Sequence, residues 1–150
     1  MRTCGECTLC CKLLAIRELE KPAYKWCSHC NVGQGCSIYE KRPQSCRDFE
    51  CLWLQDEAIP EDLKPCDVKA VMATNQTGEV IQVHVDPANP DVWQKGRLGS
   101  FLQLIGQKIP VIVVCGDKRK LIVPEAVAKE GITFREEQVD GTVIEWKGKR

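Results

Sequence analysis

Ten of the eleven cysteines fall within the first 66 residues, and the eleventh is Cys115. No other feature constrains the fold as much. Residues 1–66 hold few large apolar side chains, and a piece that small does not stabilise itself by burial alone. It needs cross-links, either disulfides or metal–thiolate bonds. The chain opens Met-Arg-Thr-Cys-Gly-Glu-Cys with no apolar signal region behind it, and its cysteine count is odd. Both point to a reducing, cytoplasmic setting and to metal ligation.

Charge offers no competing explanation. The chain has 21 basic and 21 acidic residues, a formal net charge of zero. Residues 1–66 carry 9 basic and 10 acidic groups, and residues 67–150 carry 12 and 11. A balance this even excludes a broad basic face, so no nucleic-acid partner is expected. With 43% apolar and 28% charged residues the composition is that of a folded domain. No apolar run approaches the roughly 18 residues of a membrane span, and no membrane partner is expected.

The thiols are grouped. Cys4, Cys7, Cys10 and Cys11 spell C-x-x-C-x-x-C-C, and Cys27-Ser-His-Cys30 is a second C-x-x-C. Cys36, Cys46 and Cys51 follow. Two-residue gaps let thiolates of one loop converge on one ion, with zinc–sulfur bonds of about 2.3 Å. Adjacent residues point apart, so Cys10 and Cys11 serve different ions or one of them is spare. Four thiolates close a tetrahedral zinc site, and four also hold an iron–sulfur cluster. Cys4 and Cys7 with Cys27 and Cys30 match the paired units of a zinc ribbon. The ferredoxin run matches through its third cysteine and then fails, because Cys11 follows at once and no Cys-Pro comes after it. Zinc and an iron–sulfur cluster both remain open.

Three stretches extend the pattern: Cys4-Gly5-Glu6-Cys7-Thr8-Leu9-Cys10-Cys11, then Gly35-Cys36-Ser37-Ile38-Tyr39-Glu40-Lys41-Arg42-Pro43, then Cys46-Arg47-Asp48-Phe49. Over residues 4–54 the chain resembles the small cysteine-cluster proteins of the CxxCxxCC type, described as zinc- or iron-chelating domains. The resemblance implies metal binding by Cys4, Cys7, Cys10, Cys11, Cys36, Cys46 and Cys51, with Cys27 or Cys30 in the remaining position. A similar module occurs in flagellin lysine methylases, tied to an iron–sulfur cluster. No nucleotide or S-adenosylmethionine fingerprint stands in this chain, so methyl transfer is not carried over.

The rest reads as an ordinary α+β region, a small antiparallel sheet with one main helix behind an irregular cysteine-rich metal-binding part. The division falls at 1–66 and 67–150, as two regions or one compact unit. Ser45 with Asp48 resembles a capping box, and Phe49, Leu52 and Trp53 would share one face of the helix it opens. That helix would take Cys46 at its first position and Cys51 later. Residues 59–65, with two prolines, read as a linker. Strands are expected over 68–74, 81–85, 110–115 and 121–123. Asn89-Pro90 signals the start of the main helix, and Leu98, Phe101, Leu102 and Ile105 form its apolar stripe. A short helix is expected at 125–129. Asp140-Gly141 between 132–139 and 142–146 signals a tight hairpin.

Other candidate groups have plain structural readings. Cys115 lies in an apolar strand and reads as a small buried residue. Cys66, beside Pro65, reads as an incidental thiol. His29 reads as a loop residue, although imidazole also suits zinc. His84 reads as the solvent side of a strand. Tyr39 is expected to pack the loop, with Arg42 bonding carbonyls near it. No paired carboxylates, Ser-His-Asp set or phosphate loop is visible, so no catalytic constellation beyond the metal site is assigned. The sequence thus points to a metal-binding protein, with residues 67–150 available to a protein partner. A zinc- or iron–sulfur-dependent enzyme or accessory subunit, and a thiol redox sensor, are the alternatives.

Overall fold

The chain is described here by a computed structural model covering residues 2–75, 78–124, 132–137 and 143–148. The cysteine-rich part is made of short pieces: α1 (Leu9–Leu13), a two-stranded ribbon of β1 (Cys30–Asn31) and β2 (Gly35–Cys36), α2 (Gln44–Asp48), α3 (Leu52–Gln55) and α4 (Pro65–Val68). A sheet and its helix follow, comprising β3 (Ala70–Thr74), β4 (Ile81–Val85), α5 (Gly96–Ile105), β5 (Val111–Cys115) and β6 (Lys118–Ile122). Then come β7 (Ile132–Glu137) and β8 (Val143–Gly148), which pair antiparallel.

The fold is α+β with α5 as its main helix, and the four-stranded sheet has the order β3-β4-β5-β6. Its outer pairs are antiparallel, with Ala70 opposite Val85 and Val111 opposite Ile122. Its middle pair is parallel, Ile81 matching Val111. The sequence reading had an antiparallel sheet, and the parallel centre is the difference. Its cause is the α5 crossover. Parallel neighbours need a connection of about a dozen residues or more, usually helical, and residues 86–110 provide one. Between β5 and β6 the chain reverses at Gly116, whose φ of 62° suits a residue without a Cβ.

Strand β4 shows the expected alternation, with Ile81, Val83 and Val85 buried and Gln82 and His84 half-buried. These inward residues meet Ala70, Met72, Val111, Val113 and Ile122, and α5 adds Leu98 and Leu102. Trp53, Ile59 and Leu63 complete the same core from the cysteine-rich part. On the other face of β3, Val71 packs against Leu9 and Leu13 of α1. Strand β3 is therefore buried on both faces, and packing crosses the 66/67 boundary twice.

Several local expectations change. Residues 59–65 are no linker, because Ile59 and Leu63 are core residues. Ser45 is not an N-cap. It lies inside α2, and both its N–H and its hydroxyl donate to the Glu18 carboxylate. Cys46 is accordingly the third residue of α2, and Cys51 stands just before α3. Phe49 is extended between the two helices, so it does not share a helical face with Trp53. Phe49 joins the Leu9–Leu13 cluster, while Trp53 enters the main core. The main helix starts later than Asn89-Pro90. Asp86 turns the chain there, accepting from the N–H of Ala88 at 3.0 Å, and α5 begins at Gly96. The helix expected at 125–129 and the Asp140-Gly141 turn lie outside the described residues.

Leu63 is fully buried where the two halves of the chain meet. Replacing it by alanine should lower stability by about 2–5 kcal/mol, read as a fall in the urea midpoint. Leu104→Ala, at a position 67% exposed, should change it by no more than about 0.5 kcal/mol.

Candidate metal centre

Both C-x-x-C units close as turns. The Cys7 N–H donates to the Cys4 carbonyl at 2.9 Å, and the Cys30 N–H to the Cys27 carbonyl at 3.0 Å. Each turn brings the two ends of its unit together. The units are also stitched to one another. The Cys27 N–H donates to the carbonyl of Cys11 at 3.1 Å, and Cys30 pairs with Cys36 across the β1–β2 ribbon. The ribbon turns at Gly33, φ 75°, whose N–H donates to the Thr8 hydroxyl at 3.1 Å. Thr8 thus ties the ribbon to the first cysteine loop. Glu18 holds α2, and with it Cys46, to the 3-10 turn Arg17–Leu19; its hydrogen bonds from Ser45 keep that carboxyl below its usual range.

These connections tie together the segments that carry Cys10, Cys11, Cys27, Cys30, Cys36 and Cys46. The neighbouring Cys10 thiol, then burial, raises the pKa of Cys11. Burial first, then the charge of Cys11, pushes Cys30 up to about 11. Cys46 is raised by burial and by the charges of Cys11, Cys27 and Cys36. Cys27 is the buried member of its pair and Cys30 the half-buried one.

Lys21 stands among these thiols. Its Nζ donates to the carbonyls of Lys12 and Pro22, each at 3.0 Å, and to that of Leu14. Burial lowers its pKa, opposed by the charges of Cys27, Cys11, Cys10 and Cys46. One cation therefore anchors the loop between the two C-x-x-C units. Next to Cys11, Lys12 makes an ion pair with Asp86 at 2.9 Å and lies 5.8 Å from the Trp26 ring centroid. This pair fastens α1 to the end of β4.

Cys4 is raised by burial and lowered by Arg42, with Cys11, Glu50 and Lys64 also acting on it. Cys51 is raised by burial, the N–H of Leu54 offsetting part of this, and the charge of Cys4 reaches it. Cys66 is pushed up to about 11, by burial and then by a hydrogen bond to the Cys7 thiol. Among the described residues, no three His, Cys, Asp or Glu side chains already form a set that could hold one ion. The thiols meet in contacts and groups short of a finished cage.

Cys115 packs against the main core, and no cysteine is among the charges that act on it. His29 serves through its carbonyl, which accepts from the N–H and hydroxyl of Ser37 at 2.7 and 2.9 Å. Arg42 bonds the Tyr39 carbonyl at 3.0 Å and stacks on the Tyr39 ring, yet Tyr39 itself is exposed rather than packed into the loop. Sequence reasoning missed Lys21, because a cation bound to backbone carbonyls across a loop leaves no periodicity. No family model, curated protein or solved structure matches the chain.

Lys21→Met leaves three carbonyls without their donor. Stability of the reduced, metal-free protein should fall by about 1–3 kcal/mol in urea unfolding. The exposed Lys25 serves as control, and Lys25→Met should fall within about 0.5 kcal/mol of the wild type.

Proposed function

We propose that this chain is a metal-binding protein that holds zinc or an iron–sulfur cluster through its N-terminal cysteines, as its resemblance to the CxxCxxCC proteins also implies. The observation that carries the reading is that the cysteine segments are tied backbone to backbone, the Cys27 N–H donating to the Cys11 carbonyl at 3.1 Å and Cys30 pairing with Cys36 across the ribbon. The donor set fits such a group. Thiolate sulfur is the ligand zinc and iron–sulfur centres share, and four suffice for either.

Cys4, Cys7, Cys10, Cys11, Cys27, Cys30, Cys36, Cys46 and Cys51 would supply the ligands. A bound ion or cluster contributes metal–thiolate bonds that cross-link the loops, worth about 10–16 kcal/mol for structural zinc in finger peptides. Thiols lose their protons on ligation. Lys21 offsets part of the negative charge that thiolates bring. The short elements around it, pinned by Lys12–Asp86 and by Glu18–Ser45, hold the loops near one another before ligation. No helix among the described residues is long and apolar enough to cross a membrane. A reducing, cytoplasmic compartment is part of the same proposal, because the reading needs free thiols.

Protein purified without oxygen should contain about one cluster or one to two zinc ions per chain. Iron with acid-labile sulfide and visible absorption identifies a cluster, and colourless protein with stoichiometric zinc identifies zinc. Removing the metal with a chelator should lower the melting temperature and expose thiols to alkylation. Metal-free protein whose thiols are paired as disulfides would overturn the reading and favour a thiol redox role.

A further inference from the structure

Cys30 and Cys36 stand directly opposite one another across the β1–β2 ribbon. We propose that these two cysteines are a dithiol modification site, which closes as an intramolecular disulfide by exchange with a small-molecule disulfide of the glutathione class. The pairing is read from strand register and goes beyond the metal reading, on which it does not depend.

The hydrogen bonds on either side of the pair fix its geometry. One step towards the open end of the ribbon, the Ser37 N–H donates to the His29 carbonyl at 2.7 Å, and the Ser37 hydroxyl donates to the same oxygen at 2.9 Å. One step towards the turn, Asn31 stands opposite Gly35, and the Gln34 N–H donates to the Asn31 carbonyl at 2.8 Å. Hydrogen-bonded and non-hydrogen-bonded pairs alternate along an antiparallel ladder. His29 and Ser37 are bonded, so Cys30 and Cys36 form a non-hydrogen-bonded pair. Such a pair brings its Cα atoms to about 4.5 Å and sets both side chains on one face of the ribbon. A disulfide accepts Cα separations of about 4.4–6.8 Å, so the bond closes with little movement of the backbone. A slip of one residue would send the two thiols to opposite faces. The bonds from Ser37 to His29 and from the Gly33 N–H to Thr8 oppose that slip.

Exposure separates this pair from the one that sequence spacing suggests. Cys27 and Cys30 form a C-x-x-C, the spacing of many redox motifs. Cys27 is buried, however, with its N–H on the Cys11 carbonyl, whereas Cys30 and Cys36 are both half-buried and open to a small reagent. The exchange runs in two steps. The thiolate of one cysteine attacks a sulfur of the small disulfide, which forms a mixed disulfide and releases one small thiolate. The thiolate of the opposite cysteine then attacks the protein sulfur of that bond and releases the second. The two protein thiols lose two electrons to the small disulfide, and their two protons end on the two small thiols formed. Where metal is bound the same sulfurs are engaged as ligands, so exchange follows metal release.

The test is the full-length chain, purified under reducing conditions and incubated with oxidised glutathione and a chelator, with disulfides mapped by mass spectrometry over time. The Cys30–Cys36 link should be the first to form, with the loss of two free thiols per chain. Cys36→Ser should instead leave Cys30 as a mixed disulfide with glutathione, and Cys27→Ser should leave the Cys30–Cys36 link unchanged. The proposal is overturned if Cys30 pairs first with Cys27 or with any other cysteine, or if Cys30 and Cys36 stay free under oxidised glutathione. Metal content measured before the incubation judges the metal reading separately. The wild-type map needs no variant, so it decides the matter even if Cys36→Ser folds poorly.

Discussion

Val71 packs against Leu9 and Leu13, and the placement of the thiols depends on that contact. It seats α1 on the face of β3 opposite the main core. Cys10 and Cys11 belong to α1, so their position follows from a hydrophobic contact and not from sulfur chemistry. The Lys12–Asp86 ion pair fixes the same helix at a second point. A helix of five residues has no stability of its own. Tertiary contacts hold it, and it in turn holds the thiols.

Around this seat the sequence meets a conflict of charge. Thiols packed together resist ionisation, because burial and mutual repulsion both favour the protonated form. Ligation requires the opposite. Lys21 sits within reach of that conflict, the charges of Cys27, Cys11, Cys10 and Cys46 acting on it. Lys21 is bound to three carbonyls, so its charge is held in place and not free to follow solvent.

Much of the sheet was legible from sequence. Period-two patterning over Ile81, Val83 and Val85 identified β4, and the apolar run before Cys115 identified β5. The parallel pairing of those strands was written in the same residues, as a strand, a helix and a strand, but patterning alone does not give strand direction. The cysteine-rich part was less legible because its elements are too short for periodicity. Ser45 looks like a helix cap in isolation and is instead engaged by Glu18, a partner far away in sequence. Ile59 and Leu63 look like linker residues between prolines, and only their burial reveals them as core. For the thiols, motif spacing named nine candidates, while the backbone ties that join Cys11 to Cys27 and Cys30 to Cys36 needed three dimensions.

The double burial of β3 bears on how such a module can travel between proteins. A cassette cut after Cys66 would carry Leu13, Trp53, Ile59 and Leu63 away from the strand that covers them. The remainder would keep Val71, Met72 and their neighbours with a bare face. Neither fragment would inherit a closed surface, so recombination at that point yields two sticky pieces. A fusion that preserves the chemistry has to carry the sheet along with the cysteines.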